Sequence, residues 1–251
     1  MRTFGSLLVR GLIVGVLAGL LAGAFAYSMG EPHIDSAIAI EEAAGAHTHD
    51  DGGDAAASSQ EEEEPLVTRD GQRAGLFLAT ALYGVVLGGI FAVAFTLLRR
   101  RLRTGNDAYA ALGLAAAGFV GIVLVPFLKY PPNPPAVGDP ETITKRTLTY
   151  LLTVVIGLLA VWAGVAASRW AARFGDLARL GAGVAAFLAT IVAAYLILPT
   201  INEVPGEFPA TLLWQFRLAS LGTQATLWLL IGFGYAAAVD RRLSREKVVA
   251  A

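Results

Sequence analysis

The sequence predicts an all-α, polytopic membrane protein with six transmembrane helices, and three observations carry that prediction. Of 251 residues, 55% are hydrophobic and only 16% are charged, whereas a soluble domain carries about a quarter charged residues. Six apolar segments approach or exceed the roughly 20 residues a helix needs to cross a bilayer. None alternates as a barrel strand does, and inside lipid each backbone amide must be bonded within its helix or a closed barrel. Residues 1–251 therefore read as one transmembrane domain, with the lipid bilayer as its first partner.

The first span covers residues 7–27. Arg10 lies one turn inside it, where it is expected to snorkel to the headgroups. Gly11, Gly15, Gly19 and Gly23 recur every four residues, which makes a smooth stripe for close packing against a neighbouring helix. The segment also has a basic start, an apolar core and an A-x-A ending at Ala26, as a secretory signal has. Six spans become five if that signal is cleaved; the segment's length and its glycines favour retention.

Next comes an outer loop that holds all three histidines. In "EPHIDSAIAIEE", Ile34, Ala37, Ile38 and Glu41 fall at helical spacing. This predicts a short helix along the membrane surface, with Glu31, Asp35 and Glu42 on one side. Residues 43–64, "AAGAHTHDDGGDAAASSQEEEE", read as a flexible acidic insertion, because such residues bury too little surface to offset the entropy of ordering. His47 and His49 form an H-x-H pair followed by Asp50, and imidazole with carboxylate suits first-row divalent cations. The plain alternative is a solvated loop with incidental histidines. Glu31, His33 and Asp35 form a second, anchored set at membrane level; there the alternative is acids that merely mark the interface.

The remaining spans are expected at 76–98, 108–128, 148–168, 178–198 and 217–239. The third ends in "PFLKYPPNPP", with four prolines among five residues from Pro131 to Pro135. Their fixed φ imposes a stiff, extended segment. Lys129, Tyr130 and Asn133 sit in or beside it, so it is either a rigid cap or an outer gate or docking surface. "LGLAAAGF" in the third span and "LGAGVAAF" in the fifth share a weak pattern, which hints at three related hairpins. Gln224, in the last span, is costly to bury unpaired and is expected to bond across a helix interface.

Charge sets the topology. Of 19 basic residues, 13 fall on the flank that also holds both termini, and 16 of 20 acids fall on the other. The positive-inside rule makes both termini cytoplasmic, in a multi-pass protein of the cell membrane. Neither a phosphate loop nor a hydrolase signature is present, so no enzyme is expected. Without cysteine the chain has no thiolate ligand or disulfide. No nucleic-acid partner is expected, and a homo-oligomer stays open.

"EPHIDSAIAIEE" after the first span and "PFLKYPPNPPAVGDPETI" after the third resemble the CbtA family, predicted cobalt transporter subunits, and the likeness extends over most of the chain. The resemblance implies a small single-span partner, CbtB, with a histidine-bearing terminus, and a link to cobalamin metabolism. It raises interest in Glu31, His33, Asp35, Glu41 and Glu42, and in Lys129, Tyr130, Asn133 and Asp139. The resulting expectation is a divalent metal-ion transport subunit with no permanent cofactor and Co2+, by resemblance, as substrate. The acidic outer face would concentrate the cation. "EPHID", "KYPPNPP" and "TINEVPGE", with Asn202, Glu203 and Glu207, would form a polar ring that admits it. The alternative is a non-transporting scaffold or metal-sensing subunit that docks a partner.

Overall fold

A computed structural model describes residues 3–48, 68–102 and 104–240. Helices α1 (Phe4–Met29), α2 (Glu31–Thr48), α3 (Arg69–Leu98), α4 (Asp107–Gly118), α5 (Val125–Lys129), α6 (Ile143–Ala171), α7 (Asp176–Ile197) and α8 (Ala210–Val239) make up the fold, with no strand among the described residues. Six of the resulting rods are long and apolar enough to cross a membrane, α4 and α5 together forming the third. Their starts follow local chemistry. Thr68 accepts the amide of Gly71 at 3.2 Å and Asn106 that of Ala108 at 2.8 Å, satisfying N–H groups the first turn leaves unpaired.

Small residues decide how closely the rods approach. The glycine stripe of α1 lies on α3: a Cβ at Gly15 would stand 2.2 Å from the Gly84 carbonyl oxygen, and one at Gly88 equally close to that of Gly11. The stripe is thus a packing surface on which two backbones touch, the expected use of small residues in lipid. Helix α8 covers the other side of α1, and Tyr235, fully buried, stands edge-on to Phe91 and Phe95 of α3 with ring centroids 5.2 Å away in both pairs.

Nη1 of Arg10 donates to the Ala238 carbonyl in the last turn of α8. Half-buried at the end of α8, the guanidinium complements the negative end of that helix's dipole.

Between α4 and α5 the chain makes a π-helical turn, Phe119–Leu124, in which the Val125 amide reaches back to the Val120 carbonyl. Pro126 follows at once, and a proline inside a helix removes one donor; the widened turn lets the rod continue past it. The same turn presents Gly121 to Gly157 of α6, where an added Cβ would lie 2.1 Å from the Gly121 oxygen.

The pairing of rods is not consecutive throughout. Helices α1 and α3 pack as neighbours and the third rod crosses α6, but α7 lies along α6 while α8 packs on α1 and α4. The last two spans therefore do not form a packed hairpin like the first two. Helix α7 is the most outlying, with Leu177 85% exposed and Ile191 its one buried residue.

Candidate functional site

The acid-rich end of the bundle, opposite the chain's termini, is assembled from three loops. Helix α2 begins directly after Gly30 and seats Ala37 in an apolar cluster with Val137, Phe208 and Leu213. It rests on the loops around Val137 and Phe208, because its small Ala37 face fits the hollow between them. It continues to Thr48, so the start of the 43–64 stretch is helical. His49 and Asp50 lie outside the described residues, and of His47 only its place in α2 is described.

Glu31 and Asp35 project from α2 to the first turns of α3. Arg69 Nη2 lies 2.7 Å from Glu31 Oε2 and 2.8 Å from Asp35 Oδ1, and Arg73 Nη2 donates to Asp35 Oδ2 at 2.9 Å. The Arg69 bond, then that of Arg73, holds the Asp35 carboxyl below its ordinary range. Two acids expected as metal donors are therefore engaged by two guanidinium groups. His33 is half-buried beside them, whereas Glu41 and Glu42 are exposed. Among the described residues no group of three or more His, Asp or Glu side chains is placed to hold a metal ion.

Beneath the proline string lies a vestibule of about 680 Å³, within the size range of small-molecule sites. Its rim is Tyr130–Asn133 and 201–204, one wall is Arg146, Thr147 and Tyr150 of α6, and the other is Arg217, Ser220 and Gln224 of α8. Ala136 at φ 64° and Gly138 at φ 138° turn the chain back after the prolines. At Gly138 a side chain would meet Arg146 at 2.5 Å, so glycine serves there both for its backbone and for the space it leaves.

Arg146 is held by Glu203 at 3.0 Å. Glu203 also accepts from the Thr142 hydroxyl and, at 3.1 Å, from the Asp139 amide. The Thr142 bond leads in lowering the Glu203 carboxyl from its usual range. Arg217 donates to the Pro132 carbonyl at 3.3 Å and to Asn133 Oδ1 at 2.9 Å. Gln224 approaches the Tyr83 hydroxyl, leaving its own Oε1 buried and without a hydrogen-bond partner.

The expected polar ring forms in part. "KYPPNPP" and "TINEVPGE" meet in the vestibule through Tyr130, Asn133, Asn202 and Glu203. "EPHID" does not line it, because its acids turn to α3, and Glu207 stays exposed outside. Lys129 and Tyr130 form a clasp: Lys129 Nζ donates to the Tyr195 carbonyl at 3.1 Å and the Tyr130 hydroxyl to that of Pro199 at 2.7 Å. Asp139 caps the turn Pro140–Thr142 by accepting the Glu141 amide at 2.9 Å.

Sequence reasoning passed over Arg69, Arg73, Arg146 and Arg217. A signal was present: each lies on the acid-rich flank, which holds only six of the 19 basic residues. No curated protein and no solved structure matches the chain. The family described as probable cobalt transporter subunit, CbtA, matches residues 4–240. With that match over nearly the whole six-helix bundle, the chain belongs to the CbtA family.

Proposed function

We propose that the protein is the membrane-embedded subunit through which a divalent metal ion, cobalt by the family's description, enters the cell. The acidic outer flank raises the local concentration of cations. His33, with His47, His49 and Asp50, takes up the ion, and Glu41 and Glu42 add to the field. The vestibule under Pro131–Pro135 is the mouth of the route between the helices. The potential across the membrane assists inward movement by about 2.3 kcal/mol per charge per 100 mV. Both termini face the cytoplasm. A CbtB-like subunit completes the complex, in keeping with the word "subunit" in the family's description. The observation that carries this reading is the family match joined to a bundle with a polar vestibule at its acidic end.

A second reading, a scaffold or metal-sensing subunit that leaves conduction to its partner, draws support from the arginines that engage Glu31 and Asp35. Cobalt uptake by liposomes holding the purified chain alone separates the two. Uptake supports conduction by this chain; a tight vesicle that takes up none supports the scaffold. In cells, cobalt accumulation that is unchanged by His33→Ala removes His33 from the capture step.

A further inference from the structure

We propose that the vestibule is an oxyanion site: it takes a small ligand bearing a carboxylate or phosphate group, anchored by the guanidinium of Arg217. Three charged side chains line the cavity: Arg146, Glu203 and Arg217. Arg146 and Glu203 neutralise each other at 3.0 Å, and Glu203 is further tied to Thr142 and the Asp139 amide. One positive charge is left over, on Arg217.

Arg217 is half-buried and bonds only neutral acceptors, the Pro132 carbonyl and Asn133 Oδ1. No acidic side chain among the described residues pairs with it. A guanidinium carries five N–H donors in a planar fork; with Nε and one Nη2 hydrogen committed, three remain. A charge withdrawn from water without a counter-charge is unfavourable, and carboxylate or phosphate matches the fork in shape and sign.

The surroundings complete such a site. Ser220 and Gln224 follow Arg217 along the same face of α8, and Thr147 and Tyr150 face them from α6. The Asn133 amide nitrogen is left to donate once its oxygen has accepted from Arg217. Val123, Phe127 and Leu151 supply apolar walls. A bare divalent ion meets the opposite: an unneutralised cation, and one carboxylate already saturated. Taken with the transport reading, this makes the species that passes the vestibule a metal complex of an anionic chelator. The site itself is tested without metal, so its failure is separate from failure of that reading.

The test uses the full chain in maltoside micelles free of phospholipid, titrated calorimetrically with citrate and with inorganic phosphate. A second arm follows melting temperature as phosphatidylglycerol is added. Saturable binding of citrate or phosphate, weakened at least tenfold in Arg217→Gln and less in Arg217→Lys, supports a soluble oxyanion. Stabilisation by phosphatidylglycerol that Arg217→Gln loses, with no response to the soluble anions, identifies a lipid headgroup as the source. Ser220→Leu fills the cavity wall without touching the Arg217 contacts, and it should abolish binding in whichever arm responds. The proposal is overturned if the wild type responds in neither arm, or if Ser220→Leu and the Arg217 variants respond as the wild type does.

Discussion

Arg69 Nη2 stands 2.7 Å from Glu31 Oε2, joining the first turn of α3 to the first residue of α2 across 38 positions of sequence. Glu31 is only 7% exposed, and Arg69 is its nearest counter-charge, with Arg73 Nε a more distant second at 3.6 Å. Replacing Arg69 by Gln strands a buried carboxylate and should cost about 2 kcal/mol, between the values for exposed and buried pairs. Glu31→Gln should cost less, and the double variant less than the sum of the two. Additive losses in a thermal-melting cycle would show that the pair is not coupled.

Acid should loosen the acid-rich end of the bundle. Asp35 and Glu203 have folded-state values below their ordinary 3.8 and 4.5. The unfolded chain therefore takes up protons first as pH falls. Their stabilising effect is whole above those ordinary values and drains away as pH drops through the lower folded ones. Melting temperature should decline below about pH 4.5, and Asp35→Asn together with Glu203→Gln should make the curve flatter. A wild-type curve unchanged down to about pH 3 contradicts this.

Two glycines in spanning helices should answer oppositely to alanine. At Gly15 the new Cβ collides with the Gly84 backbone at 2.2 Å, while at Gly113 nothing lies within 4 Å. Gly15→Ala should force α1 off α3 and lose about 2 kcal/mol or more. Gly113→Ala should be neutral or gain up to about 1 kcal/mol through helix propensity. Folded yield and melting temperature in detergent report both.

The clasp at the C-terminal end of the third rod predicts a small, specific loss. Tyr130→Phe removes the 2.7 Å bond to Pro199 and should lower stability by about 1 kcal/mol. Proteolysis of the 199–209 loop should quicken in step. An unchanged cleavage rate would mean that the loop does not depend on this bond.

Orientation is directly checkable because the chain contains no cysteine. Ser58→Cys should react with a membrane-impermeant maleimide in intact cells, and Ser244→Cys only after permeabilisation. The reverse pattern would place the acidic flank inside and undo the capture scheme.

Apolar length and the one-sided distribution of arginine were enough to read six rods and to predict which ends share a flank. Both follow from burial of backbone dipoles and from charge beside a membrane, which depend on local composition alone. The α1 glycines announced a close contact but not its partner; only the folded bundle pairs Gly15 with Gly84. Glu31, His33 and Asp35 looked like metal donors because sequence shows donor type and spacing. The bundle turned the two acids to Arg69 and Arg73, and it left Arg217 with neutral partners over a cavity. Charge pairing is decided by three-dimensional distance between residues far apart in the chain, and that distance exists only once the helices have packed.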